Sequence, residues 1–372
     1  MALRNAGVAT RFCEVCGTPL EVSATGRRPR FCSSPCRQRA YRQRCARPGR
    51  VVAMTPFWSD DAAAVYVGRA QDVLRALPAG SVQTVVTSPP YYGLRDYGGH
   101  ADQIGQEATP AAYVAVLADL FDEIHRVLRP NGTAWLNLGD TYSRRTNRGP
   151  SADRHAGRGH RQGVTGHRIS TTSTAPLKSL LMMPSRVAIA LSERGWIIRN
   201  DIIWSKSNAM PSSATDRMNT THEHLYLLAK SPSYYFDLDA TKVPATGRAA
   251  GNKNRAAYAT AIGTDAAERR FGNNPGSTLD DKQLENRNPG DVWSIATRPN
   301  PSGHFAMFPP DIPLRCIRAS TAPGDLVLDP FAGAGTTGVV AKSLGRRFVG
   351  IELVDEYAQI AVDRLSATLP YS

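Results

Sequence analysis

The chain has 372 residues, 41% of them hydrophobic and 21% charged, with a formal net charge of +13 at pH 7. That length can bury one large core and still carry a small accessory module, and the composition is ordinary for a globular protein. No apolar run approaches the roughly 18 residues a bilayer span needs, and Met1–Phe12 lacks the apolar core of a secretion signal, so no membrane role and a cytoplasmic setting with reduced thiols are expected.

The charge is localised. Residues 1–50 hold eleven Arg against Glu14 and Glu21, and residues 143–168 hold seven Arg against Asp153, which leaves the remainder close to neutral. A near-neutral body with two basic attachments fits a partner with a dense negative backbone; a solubilising tail plus a solvated loop is the bland alternative.

Residues 1–50 read as a first module. Cys13-x2-Cys16 and Cys32-x3-Cys36, separated by 15 residues, have the spacing of a tetrahedral four-cysteine zinc site. A stretch with so few large apolar side chains could hardly fold without such a staple. Arg37–Arg44 is predicted as a basic helix carrying Arg37, Arg39, Arg42 and Arg44 with Tyr41 interleaved, suited to phosphate contacts. Disulfides are disfavoured by the reducing setting, and Cys45 is a substitute ligand.

Residues 51–372 read as one larger domain. From Ala64 onward short apolar strands alternate with amphipathic helices, the signature of a doubly wound α/β sheet. Val82–Val86 is predicted as a buried strand. Tyr113, Leu117, Leu120, Ile124 and Val127 recur at spacings of three and four, which predicts a helix over 111–128. Arg129-Pro130-Asn131-Gly132 is read as its stop before a strand over 133–138. The alternation returns as helix 185–194 and strand 196–204, then as strand 325–329, helix 336–344, strand 347–352 and helix 354–365; Cys316 falls in an apolar helix and reads as core. Two stretches break the pattern. Residues 143–173, rich in Gly, Arg, Ser and Thr, are predicted as a mobile loop. There His155, His160 and His167 read as solvated, and the Arg residues as suited to phosphate. Residues 241–300 are polar and aperiodic, and read as an insertion on the sheet rather than part of it.

Val85-Val86-Thr87-Ser88-Pro89-Pro90-Tyr91 leaves a strand into a rigid Pro-Pro corner with an aromatic behind it. The exocyclic amine of cytosine or adenine is a weak nucleophile, because its lone pair is delocalised into the ring. Acceptors aimed at its two N–H bonds would draw the nitrogen towards tetrahedral geometry as a methyl group arrives. The Ser88 hydroxyl and the Pro89 carbonyl can supply them, and Pro89 and Pro90 fix their direction in advance. Tyr91 can stack on a base extruded from a duplex.

Leu326-Val327-Leu328 is a short strand from which Asp329-Pro330-Phe331-Ala332-Gly333-Ala334-Gly335-Thr336-Thr337-Gly338 turns into a helix. Glu352 ends the next strand, where an acid can accept from ribose hydroxyls. This pattern suits either a dinucleotide or an adenosine-type cofactor. Asp329 separates them: it would face the cationic amino group of a methionine tail but repel a pyrophosphate. S-adenosylmethionine is therefore the expected methyl donor.

With these motifs in place, the chain from about residue 64 to 367 resembles the amino-methyltransferases of bacterial modification systems, which methylate adenine N6 or cytosine N4. Thr87–Tyr91 is similar to the family's catalytic motif, which implies Ser88, Pro89, Pro90 and Tyr91 as catalytic residues. Asp329–Gly338 resembles its cofactor motif, implying Asp329, Phe331, Gly333, Gly335, Thr336, Thr337 and Glu352. Tyr66–Asp72 is similar to a further cofactor element in which the acid, Asp72, contacts the adenine; Gln71-Asp72 stands where Gly-Asp is usual. His304-Phe305-Ala306-Met307-Phe308-Pro309 resembles the segment packed on the methionine end, implying His304, Phe305 and Phe308. Trp204–Asn208, His222-Glu223-His224 and Tyr234–Asp237 match the strand-and-loop signature after the catalytic half. Catalytic motif before cofactor motif resembles the permuted beta group, which implies a target-recognition region over about 238–300. The implied fold is a permuted Rossmann-like S-adenosylmethionine-dependent sheet with a small N-terminal zinc module. The implied partner is double-stranded DNA, with a cognate restriction endonuclease as candidate counterpart. Ser at the first motif position is more typical of cytosine-N4 enzymes, with adenine N6 the alternative. A non-catalytic DNA-binding protein and an enzyme acting on RNA or a side-chain amide remain competitors at this stage.

Overall fold

The computed structural model describes residues 11–13, 18–20, 54–94, 102–143, 175–244, 286–298 and 308–368. The chain divides into two compact units, Met1–Met54 and Thr55–Ser372. In the first, β1 (Arg11–Phe12) pairs antiparallel with β2 (Pro19–Leu20). Cys13 is buried, and its amide donates to the Thr18 carbonyl at 2.8 Å. Cys16, Cys32, Cys36 and the predicted basic helix lie outside the described residues, as does the predicted loop beyond Ser143.

The second unit is built on a nine-stranded sheet. Its first six strands are β3 (Trp58–Ser59), β4 (Ala63–Val67), β5 (Val82–Thr87), β6 (Leu128–Leu138), β7 (Ile197–Ser205) and β8 (His222–Ala229). A separate antiparallel pair, β9 (Val243–Pro244) with β10 (Asn286–Arg287), precedes β11 (Val292–Ser294), β12 (Leu326–Asp329) and β13 (Arg347–Glu352). The sheet order is β11-β7-β8-β6-β5-β12-β13-β4-β3. The central strands β6, β5, β12, β13 and β4 are mutually parallel, while β8 runs antiparallel to both β6 and β7. All six residues of β5 are buried, so both faces of the sheet are covered there. The helices α1 (Ala70–Ala76), α2 (Pro110–Val127) and α3 (Met183–Glu193) pack in succession. So do α4 (Asp311–Ser320), α5 (Thr336–Ser343) and α6 (Asp355–Ser366).

Local chemistry explains why α2 forms where it does. Thr109 has extended backbone and its side chain accepts from the Ala112 amide at 3.1 Å, while Pro110 occupies the first turn without needing a donor. Tyr113, Leu117, Leu120, Ile124 and Val127, the residues whose spacing predicted this helix, are all buried. Near its end Arg126 pairs with Glu123 at 2.8 Å. The same guanidinium donates to the Leu77 carbonyl at 3.0 Å and to that of Leu74, which satisfies the carboxyl end of α1.

Two sequence expectations are corrected. Arg129–Gly132, read as the stop of the helix before a strand over 133–138, does follow the end of α2 but already belongs to β6. Leu128 already pairs with Val82, and the register then slips so that Thr133 faces Thr84. The four residues bulge from a continuous strand, and Pro130, which has no N–H for a ladder, is tolerated because of that. Part of 241–300, read as lying off the sheet, is in it. β11 pairs in parallel with β7, and Trp293 and Ile295 are buried. The Trp204 indole donates to the Ile295 carbonyl at 2.9 Å. A strand of three residues is too short to show a period, which is why the sequence did not reveal it. Cys316 is fully buried in α4, as expected of a core residue.

Candidate active site

From β5 the chain crosses to β6 on one side, and from β12 it crosses to β13 on the other, so β5 and β12 are neighbours from which the sheet is wound outward in both directions. Ligands of doubly wound sheets bind beyond the carboxyl ends of such a strand pair. Here those ends carry Thr87 and Asp329, and the Thr87 hydroxyl donates to Asp329 Oδ1 at 2.7 Å across 242 residues of sequence. Just past them a cleft is lined by Ser88 and Pro90 from the tetrapeptide, by Asp329, Phe331 and Gly333 from the glycine-rich turn, and by Glu352 from the end of β13.

The glycine-rich turn is shaped by its own backbone. Gly333 (φ 50°) and Gly335 (φ 74°) occupy left-handed conformations that a side chain would strain. The Gly333 amide donates to Glu352 Oε2 at 2.8 Å, and Glu352 Oε1 accepts from the amides of Leu353 and Val354 at 2.9 and 3.0 Å. Burial raises the Glu352 carboxyl above its usual range, opposed by those three amides. Gly335 does not line the cleft. A Cβ there would lie 2.9 Å from that of Ala361, so this glycine allows α5 and α6 to approach. Gly338 works similarly against the sheet, where a Cβ would fall 2.5 Å from the Phe348 ring. Arg364 of α6 donates to the Ala334 carbonyl and holds the turn from behind.

Asp329 is the buried charge of the site. Its side chain accepts from the hydroxyls of Thr87 and Thr337, each at 2.7 Å, and from the Phe331 amide at 3.1 Å. Burial outweighs these donors and pushes its carboxyl up to about 6. Among the described residues its partners are these hydroxyls and this amide, all uncharged.

The tetrapeptide is anchored on its far side. The Tyr113 hydroxyl of α2 donates to the Pro90 carbonyl at 2.9 Å, which fixes the corner to a core helix. Ser88 Oγ lies 3.2 Å from the Tyr91 hydroxyl. That hydroxyl donates to Glu223 Oε2 at 2.6 Å and lies 3.1 Å from Asn137 Oδ1, and Lys206 Nζ donates to Glu223 Oε1 at 2.5 Å. The Tyr91 ring rests on Gly139, where a Cβ would intrude to 2.6 Å. Burial first, and then the Glu223 charge, hold the Tyr91 phenol well above its ordinary value, so it stays a hydroxyl.

The structure therefore gathers Ser88, Pro90, Phe308, Asp329, Phe331, Gly333, Thr336, Thr337 and Glu352 around one cleft. Pro89 is buried and Tyr91 partly so, and neither lines it. Asp72 is placed elsewhere: its carboxylate is half-exposed and pairs with Arg75 at 3.1 Å, while Gln71 faces the cleft. A one-residue step along a helix turns a side chain by about 100°, which decides this. His304 and Phe305 lie outside the described residues. Sequence reasoning missed Asp102 and Gln103, which line the cleft from an aperiodic segment. Glu223 stood in the sequence only as part of the His222-Glu223-His224 signature, at the polar start of an otherwise apolar strand.

Comparison with known proteins places the chain in a family. The N6/N4 methyltransferase family model, a DNA methylase, matches residues 82–363. The Type II methyltransferase M.XycI of Xanthomonas campestris pv. cyanopsidis is 41% identical over 301 residues, covering 81% of this chain and 87% of that protein. M.SmaI of Serratia marcescens, also a Type II methyltransferase, is 38% identical over 303 residues, covering 81% and 90%. Among solved structures, the cytosine-N4-specific PvuII DNA methyltransferase has a similar fold, with a TM-score of 0.55 at 18% identity over 84% of this chain and 89% of that one. No helix among the described residues is long and apolar enough to cross a membrane. The tetrapeptide, the glycine-rich turn and the cleft between them all fall inside the matched range or beside it, and this chain is a member of the N6/N4 DNA methylase family.

Proposed function

We propose that this protein transfers a methyl group from S-adenosylmethionine to N4 of cytosine in double-stranded DNA. The observation that carries the reading is that Ser88 and Asp329 line one cleft, locked together through Thr87. The donor set fits the cofactor. Asp329 answers a cationic amino-acid tail, Glu352 has acceptor oxygens for ribose hydroxyls, and Phe308, Phe331 and Ile351 supply apolar walls. A pyrophosphate would meet Asp329 instead, which argues against a nicotinamide dinucleotide. When bound, the cofactor supplies an electrophilic methyl group.

The chain's own residues then act on the amine. Ser88 Oγ, which lines the cleft, accepts from one of its N–H bonds and helps to free the nitrogen lone pair. The Pro89 carbonyl, set behind that lining, is assigned the second N–H from the motif alone, and the Tyr113–Pro90 bond keeps the corner rigid. The ring of Tyr91 backs the base while its hydroxyl is held by Glu223. Gln71 and Asp102 line the cleft where Asp72 does not, and the adenine contact that the resemblance gives to Asp72 is assigned to them in this reading. Serine at the first motif position and the fold shared with a cytosine-N4-specific enzyme support cytosine over adenine. Target recognition is assigned to about 238–300, and phosphate contact to the Arg-rich 143–173. A cognate restriction endonuclease is the natural counterpart of such an enzyme. Mass spectrometry of nucleosides from unmethylated plasmid incubated with protein and S-adenosylmethionine is expected to show N4-methylcytosine. N6-methyladenine would keep the mechanism and change the base; no modified nucleoside would overturn the reading.

The first module is proposed to bind one structural zinc through Cys13, Cys16, Cys32 and Cys36. Cys13 directly follows β1 and is buried, which supports its place in such a site. Metal analysis of the purified protein is expected to give about one zinc per chain, as a four-cysteine site holds one ion; well under that value would refute it.

A further inference from the structure

We propose that the hydroxyl chain from Ser88 through Tyr91 to Glu223 carries away the proton that the target amine must lose. The inference rests on the reading that Ser88 accepts from that amine. Methylation makes the leaving proton unavoidable: an amine with two hydrogens gains a methyl group and must end neutral with one.

The direction of the chain follows from counting protons. Tyr91 has one hydroxyl hydrogen and three polar neighbours: Glu223 Oε2 at 2.6 Å, Asn137 Oδ1 at 3.1 Å and Ser88 Oγ at 3.2 Å. The Asn137 amide is oriented by its own donation to the His224 carbonyl at 3.1 Å, so its oxygen faces Tyr91. Glu223 is the nearer acceptor and the charged one, and therefore receives the Tyr91 proton. The Tyr91 oxygen is left to accept, so Ser88 donates to it. Ser88 then presents lone pairs, not its hydrogen, to the cleft it lines. Lys206 holds the other Glu223 oxygen at 2.5 Å and keeps the carboxylate at the end of the chain.

The step balances. The nitrogen lone pair forms the bond to the methyl carbon, and the carbon–sulfur bond breaks with its electron pair left on sulfur. The nitrogen now carries a positive charge and two protons. One passes to Ser88 Oγ as the Ser88 proton passes to Tyr91 Oη and the Tyr91 proton to Glu223 Oε2. A neutral methylamino group, a neutral thioether and a protonated Glu223 result. The Glu223 side chain is 13% exposed, which gives the proton a way to solvent before the next turnover.

Glu223→Gln keeps the size and an acceptor oxygen for Tyr91 but cannot take the proton. It is expected to bind S-adenosylmethionine within twofold of wild type by calorimetry and to keep its thermal midpoint. Single-turnover methyl transfer to unmethylated plasmid should fall on the order of 100-fold, with KM for DNA little changed, as loss of a general base predicts. Tyr91→Phe, which leaves the Lys206–Glu223 pair intact, should show the same pattern and decides the matter if Glu223→Gln does not fold. Transfer within threefold of wild type in the folded variant, with Ser88→Ala inactive, would overturn the proton route alone. A fully active Ser88→Ala would instead remove the reading on which it rests.

Discussion

Ser88→Ala is expected to lower single-turnover methyl transfer by roughly 100- to 1,000-fold, the loss typical of removing one preorganised transition-state hydrogen bond. The substitution takes away the one side-chain acceptor that the tetrapeptide turns into the cleft. The corner itself should survive, because its rigidity comes from Pro89, Pro90 and the Tyr113 bond to the Pro90 carbonyl, none of which involves Ser88. Cofactor affinity should therefore stay within about twofold, since the groups expected to hold the cofactor, Gln71, Asp102, Asp329, Phe331 and Glu352 among them, lie outside the tetrapeptide. The split between lost rate and kept affinity is the informative result. Titration calorimetry with S-adenosylmethionine and single-turnover transfer of labelled methyl to unmethylated plasmid measure the two sides. A variant as active as wild type would refute the role given to Ser88.

Asp329→Asn should move stability and binding in opposite directions. The carboxyl is pushed up to about 6 by burial, so the folded protein prefers it neutral. Below about pH 4 it is neutral in folded and unfolded chains alike, and burial carries no ionisation cost. Between about pH 4 and 6 the unfolded carboxyl ionises first and stability falls. Above about 6 the full penalty, roughly 3 kcal/mol for a carboxyl raised from its ordinary value to about 6, is present. Asparagine keeps partners for the Thr87 and Thr337 hydroxyls without the charge. The free variant should therefore melt several degrees higher than wild type at pH 7.5, and the gap should close towards pH 4. Binding answers differently. An ammonium group beside Asp329 favours its ionised form, so wild-type affinity for S-adenosylmethionine should weaken as pH drops through about 6. The variant should bind on the order of 100-fold more weakly at pH 7.5, as expected for truncating one side of a desolvated charge pair. Thermal melts across pH with and without the cofactor test both parts. A variant that is destabilised when free, or one that binds as well as wild type, would show that Asp329 serves the fold alone.

Much of this site is legible in the sequence because its chemistry is local. A strand that runs into Ser-Pro-Pro-Tyr, and another into Asp-Pro-Phe-Ala-Gly-Ala-Gly, declare their turns by residues whose backbone freedom is unusual. The spacing of Tyr113, Leu117, Leu120, Ile124 and Val127 likewise declares α2, since a helix face is a property of neighbours in sequence. What remained hidden depends on elements far apart in the chain. The Thr87–Asp329 bond joins residues 242 apart, and no local pattern encodes that β5 and β12 lie side by side. The ends of helices and strands also decide which of two adjacent residues meets a ligand. Gln71 faces the cleft and Asp72 faces Arg75 because α1 packs by its apolar residues, and the polar ones take whatever directions remain. Gly335 carries the family pattern yet serves the contact with Ala361, a partner that only the packing of α5 on α6 supplies. Glu223 joins the site because β8 runs antiparallel beside β6, which brings an acid from one strand to a tyrosine that follows another. The sequence by itself determined the chemistry available to this protein and the turns that present it, because those follow from the covalent and steric character of each residue. Only the tertiary structure decided which groups share a proton, a charge or a cavity wall, because those interactions fall off within a few ångströms and depend on strand order rather than on distance along the chain.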